Sequence, residues 1–228
     1  MTIAISRWRF MLRAHAPVVW ISAMLKSWPH QPEWLPRHDS KIFITSWGRS
    51  ANSYLFWIIR ELMDDRCHVA SHGHSVGSLK IAKKHKVKIL LILRRPDATV
   101  ASMLSKKDFS DEFLIELLDD WTNYHRWVLK NLSVCSVVLF EDFLTDPCGT
   151  VAAINLSDFD FKRTIPAAQA AALHRLRSDS RPESVRNLST EERKNKLGAI
   201  ADKVRLLQGY PESLDLYNSL CKKVVEAK

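Results

Sequence analysis

Glycine (6) and proline (9) are scarce in the 228 residues, and no segment is of low complexity, so a disordered or fibrous chain is excluded. The four cysteines, Cys67, Cys135, Cys148 and Cys221, form no C-x-x-C pair, which argues against a zinc ribbon and a thioredoxin-type redox site. A domain of this length can build its core without disulfides, so reduced thiols are expected. The longest uncharged stretch near the N-terminus, Ala14 to Leu25, has about twelve residues and contains His15 and Pro17. A membrane span needs roughly 20 predominantly apolar residues, so this one is too short. An acidic surplus is also missing. Lysine and arginine total 34 against 25 acidic residues, a net charge of +9. That balance favours an anionic partner, either nucleic acid, a membrane surface or a phosphorylated small molecule.

Arg7, Arg9 and Arg13 precede the N-terminal apolar run in the manner of a signal peptide. An amphipathic helix, packed on the domain or resting on an anionic membrane, explains the same pattern, and the packed helix is the preferred reading. Residues 1–40 are therefore set apart as an N-terminal helical extension. Residues 41–228 are read as a single domain of a cytoplasmic protein.

From Lys41 onward strands and helices alternate. Lys41–Ser46 (KIFITS) and Val87–Leu93 (VKILLIL) are apolar, β-branched runs expected as buried parallel strands. Cys67–Ser71 and Val134–Phe140 are two further strand candidates, the latter also expected to be buried. Helices are expected over Asn52–Asp64, Ser75–Lys84 and Asp97–Leu104. A long amphipathic helix, Ser110–Asn131, carries Phe113, Leu117, Trp121, Tyr124 and Val128 on one stripe. The C-terminal part reads as helices over Ala167–Leu176, Thr190–Gln208 and Glu212–Val225. This order implies an α/β domain with a parallel sheet and a helical C-terminal cover.

In such folds ligands bind beyond the carboxyl ends of the strands, which directs attention to the strand-to-helix turns. The first turn runs Ser46, Trp47, Gly48, Arg49, Ser50, Ala51, Asn52, Ser53, Tyr54. A helix N-terminus with an adjacent arginine and serine hydroxyls is a physical phosphate site. It is not a Walker A loop, because the second glycine and the lysine are missing. A capped helix start with an incidental arginine is the plain alternative. The second turn places Arg94 at a strand end and Ser102 two helical turns on, with Arg95, Pro96 and Asp97 between. Two anion-binding turns on adjacent strands suit a ligand with two separated phosphate groups.

These segments resemble the sulfotransferase family. FITSWGRSANSYL is similar to its 5′-phosphosulfate loop, T-x-Y-P-K/R-S-G-T/N-T-W, and LRRPDATVASML to its 3′-phosphate segment, R-N/D-P-x-x-x-x-x-S. Trp121 and Tyr124, then VVLFEDFLTDP (137–147) and Leu206 to Tyr210, follow in family order, so the likeness spans roughly residues 41–210. The resemblance implies a P-loop-like fold in a short, bacterial-type member that uses 3′-phosphoadenosine 5′-phosphosulfate (PAPS) as donor. Arg49 then takes the basic role at the phosphosulfate, with Gly48, Ser50, Ala51, Asn52 and Ser53 completing the loop. Tyr54 stands where a tryptophan often stacks on adenine, and Arg94 with Ser102 holds the 3′-phosphate.

Three departures stand out. Gly48 replaces the usual proline, and Ala51 replaces a glycine, which is expected to require a negative φ there. The late R-K-G-x-x-G-x-W segment has no clean counterpart, and Arg177, Arg181 and Arg186 are the candidates for its charge.

Sulfuryl transfer needs a base for the acceptor proton. VASHGHS (69–75) follows a neighbouring strand and loosely matches the family's K-T-H, making His72 the expected base and His74 its rival. The spacing of His68, His72 and His74 also invites a metal reading, but no carboxylate or cysteine pattern accompanies it, and no metal is expected. The acceptor is expected to be a hydroxyl or amine of a carbohydrate, lipid or small molecule. Against nucleic acid, no basic motif with interleaved aromatics is present. The competing functions are a non-catalytic nucleotide- or RNA-binding protein and a P-loop kinase. The run Lys80–Arg95 holds seven lysines and arginines without an acid, and Asp108–Asp120 answers it with six acids and no base.

Overall fold

A computed structural model describes residues 35–48, 50–64, 66–71, 73–104, 109–156, 159–178 and 191–226. The expected N-terminal helix, and with it Arg49, His72, Arg181 and Arg186, lies outside these residues.

The chain forms a four-stranded parallel sheet with helices on both faces. Strands β1 (Ser40–Thr45), β2 (His68–Ser71), β3 (Lys88–Leu93) and β4 (Cys135–Leu139) lie in the order β2-β1-β3-β4. Registers such as Ile44 with Ser71, Thr45 with Leu91 and Leu93 with Leu139 tie the sheet together. The intervening helices are α1 (Asn52–Leu62), α2 (Val76–Lys84), α3 (Pro96–Leu104) and α4 (Asp111–Leu129). After β4 come α5 (Phe140–Thr145), α6 (Pro147–Ala153), α7 (Ile165–Ser178), α8 (Glu191–Arg205) and α9 (Tyr210–Glu226). This is the α/β architecture with a helical C-terminal part that the sequence implies.

Strand alternation divides the core in two. Phe43, Ile89, Leu91 and Leu93 face one layer with Leu79, Val100, Trp121, Tyr124, Val204 and Leu220. Ile42, Ile44, Leu90 and Ile92 face the other with Leu55, Ile59, Phe143 and Ala172. Both faces of β1 and β3 are thus buried, which is why these strands read as unbroken apolar runs.

Two expectations need correction. Val134 belongs to a 3₁₀ turn and Phe140 opens α5, so the fourth strand is shorter than its apolar run. It is also half-buried, with only Val138 fully enclosed. On α4 the fully buried stripe begins at Leu114; Phe113 only borders the core. Ser110 caps this helix by accepting a hydrogen bond from the Phe113 N–H at 3.4 Å.

Candidate functional site

The strand order places a topological switch between β1 and β3. The chain leaves β1 for β2 on one side, then returns past β1 to β3 on the other. In open α/β sheets the ligand crevice lies at such a switch, here at the carboxyl ends of these two strands. The two turns singled out in the sequence leave the sheet there, side by side.

The first turn is tightly wound. Gly48 adopts φ 70°, and Ala51 adopts φ 58° with ψ 21°, both in the left-handed region. The negative φ expected for Ala51 is not what the chain does: the backbone keeps the glycine conformation of the turn and carries the alanine methyl with it. Gly48 has a second constraint, since a Cβ there would lie 2.7 Å from Met103 Sδ on α3. The Ser50 N–H donates to the Gly48 carbonyl at 2.9 Å, and the Ser46 hydroxyl donates to the same oxygen at 2.8 Å. Ala51 occupies the N-cap position of α1 and offers no side-chain oxygen to the first-turn N–H groups. A helix start without a side-chain cap, beneath a turn carrying Arg49, is electrostatically suited to an anion.

Ser50 and Asn52 are both buried. The Asn52 amide, oriented to satisfy its surroundings, donates to the Thr45 carbonyl at 3.2 Å and accepts from the Ser46 N–H at 3.1 Å. Asn52 is therefore a strut of the turn. Tyr54 packs its ring against Phe143, with centroids 5.4 Å apart, and its hydroxyl accepts from Gln169 Nε2 at 2.9 Å. The ring is half-buried, on the α1 side of the sheet.

His74 joins the first turn as well. Its Nδ1 donates to the Ser46 carbonyl at 2.7 Å, which fixes the neutral tautomer with the lone pair on Nε2. His68 does not join it. It begins β2, bonded to Ser40 Oγ and the Arg37 guanidinium at 2.8 Å each, some three residues of strand below the site. At about 3.3 Å per residue, His68 and His74 lie too far apart to share one metal ion. Among the described residues no cluster with metal-ligating composition is present.

At the second turn Arg94 stacks its guanidinium over Phe140, 4.3 Å from the ring centroid. Burial lowers its pKa, while Glu141 and Asp97 oppose the shift; it remains a cation at neutral pH. Ser102 follows Thr99 by one turn of α3, and Thr99 and Met103 are what a Cβ on Gly48 would meet. The first turn and α3 are thus in direct contact. Arg95 has a different role, for it is bonded to Asp97 and Tyr210. Of the late arginines, Arg177 is exposed near the end of α7, and Arg175 is committed to Glu61 and the face of Trp57.

The partners of several supporting residues carried no signal in the sequence. The buried Thr45 hydroxyl donates to the Gly73 carbonyl and pairs with the Tyr124 hydroxyl, both at 2.8 Å. It therefore joins β1, the β2 turn and α4. Trp47 is buried, and its indole N–H donates to Asp120 Oδ2 at 2.6 Å. These pairs are separated by up to 79 residues in the chain, and only the packed layers bring them together.

No family model matches the chain, and no curated protein matches it. Among solved structures it is similar to mouse sulfotransferase SULT7A1 complexed with PAP. That likeness covers 80% of this chain and 90% of the mouse protein, at 14% identity and a TM-score of 0.46. So loose a superposition assigns no activity, and an animal protein lends no support to the bacterial-type expectation. No described helix is long and apolar enough to cross a membrane.

Proposed function

We propose that the protein transfers a sulfuryl group from PAPS to a hydroxyl or amine of an acceptor. The observation that carries this reading is the pair of strand-to-helix turns leaving adjacent parallel strands at the switch point. One has a helix start without a side-chain cap under two left-handed residues; the other has a desolvated arginine. Two separate turns of this kind suit the 5′ and 3′ groups of the donor, and the sequence motifs follow the same order. Arg49, Ser50, Ala51, Asn52, Ser53 and Gly48 would hold the phosphosulfate end. Arg94 and Ser102 would hold the 3′-phosphate, and Tyr54 would border the adenine.

In the transfer, the acceptor oxygen forms a bond to sulfur as the bond from sulfur to the 5′-phosphate oxygen breaks in line. The acceptor proton goes to a base, and His72 is the residue we assign. His74 is its rival, being held by the Ser46 carbonyl with Nε2 as the basic atom. Positive charge at Arg49 and the α1 N–H groups would stabilise the departing phosphate, as preorganised dipoles do in acyl and phosphoryl transfer.

Thermal shift with adenosine 3′,5′-bisphosphate against ATP, with and without magnesium, tests the binding half. Stabilisation by ATP with magnesium and none by the bisphosphate would replace this reading with a kinase. With PAPS and a panel of phenolic, carbohydrate and amine acceptors, His72→Ala should abolish turnover while leaving bisphosphate binding intact. Turnover retained there but lost in His74→Ala would move the base to His74.

A further inference from the structure

The β3–α3 turn presents two adjacent arginines, and the structure divides their labour. Asp97, the second residue of α3, is only 1% exposed, and both of its carboxylate oxygens are occupied. Oδ1 accepts from Arg95 Nε at 3.2 Å; Oδ2 accepts from Arg95 Nη2 at 3.3 Å and from Arg205 Nε at 2.7 Å. Arg95 Nη2 also donates to the Tyr210 hydroxyl at 3.2 Å. Arg205 ends α8 and Tyr210 begins α9, so the link between these helices grips the turn from outside the sheet. A buried carboxylate bridging two guanidiniums holds its geometry tightly, because each charge-assisted hydrogen bond fixes the direction of one of its oxygens.

We infer that Arg205 and Tyr210 are positioning residues. By holding Arg95 on Asp97, they fix the turn so that Arg94 faces a 3′-phosphate. This rests on the nucleotide reading above. The clamp makes recognition of the 3′-phosphate a property of the C-terminal helices as well as of the strand end. Once Arg205 is removed, Arg95 is left as the sole partner of Asp97 in this clamp. The β3–α3 turn then relaxes, and the 3′-phosphate loses its fixed cation.

The test compares the full chain's dissociation constants for adenosine 3′,5′-bisphosphate and for AMP, which lacks the 3′ group, by calorimetry. The wild type should prefer the bisphosphate. Arg205→Gln should reduce that preference roughly tenfold, within the usual range of coupling between linked groups, with AMP affinity nearly unchanged. Tyr210→Phe, which keeps the ring packing, should reduce it by a smaller factor. Arg205→Lys should recover part of the loss. If the variants bind both ligands as the wild type does, or lose both in parallel, the clamp is merely structural and the inference is wrong. Should Arg205→Gln not fold, Tyr210→Phe decides by the same ratio. A wild type with no preference for the bisphosphate overturns the nucleotide reading itself, and this inference with it.

Discussion

Ala51 is the residue at which sequence and backbone disagree most openly, and replacing it tests the shape of the first turn. At φ 58° an alanine methyl crowds the backbone, a cost of about 1.5 kcal/mol that glycine does not bear. Ala51→Gly relieves this, but it adds about 0.5 kcal/mol of unfolded-state entropy to be lost on folding. It also removes a methyl that is half-buried against the second core layer, worth about 0.4 kcal/mol. The balance favours the variant by about 0.6 kcal/mol, a rise in Tm of about 1–2 °C for a chain of this size. Differential scanning fluorimetry reads this shift, with Ala170→Gly, an exposed site inside α7, as the control. The control should fall by about 2–4 °C, the ordinary effect of a glycine in a helix interior. Ala51→Val, with its branched side chain at positive φ, should also fall. If Ala51→Gly falls in step with the control, Ala51 is not left-handed, and the tight turn argued above does not exist.

Thr45→Val removes the hydroxyl that bonds the Gly73 carbonyl and the Tyr124 phenol, leaving both without it in the interior. The expected loss is about 1–3 kcal/mol in denaturant unfolding, and a loss below about 0.5 kcal/mol would show that these groups have other partners. His125 supplies a pH signature. Its Nδ1 donates to the Trp121 carbonyl, and burial pushes the imidazole pKa down to about 3, well below its unfolded value. The unfolded chain therefore binds the extra proton between about pH 6.5 and 3, so stability is full above that window and falls as pH drops through it. The slope from this group is at most about 1.4 kcal/mol per pH unit. His125→Leu should flatten that part of the profile; an unchanged slope would refute the buried neutral imidazole.

The sequence carried the strands β1 and β3 plainly, because burial on both faces leaves unbroken apolar runs. It carried the helices by their apolar period, and the two turns by their motifs. It overstated β4, since an apolar run does not say how completely the packed helices cover a strand. Ser110 and Ser75 were legible as helix starts; both stand at the N-cap, each accepting a hydrogen bond from a first-turn N–H.

What the sequence by itself determined is local: which segments extend, which coil, and that an arginine follows the first and the third strand. Local chemistry sets these features, so a window of a few residues contains them. Only the tertiary structure decided the division between Arg94 and Arg95, two neighbours of the same type. One lies over Phe140, and the other is held by Asp97 and Tyr210. Arg205 reaches Asp97 across 108 residues of chain, and Trp47 reaches Asp120 across 73. Such pairings depend on how helices stack over the sheet, and on the need to satisfy each buried charge and polar group there.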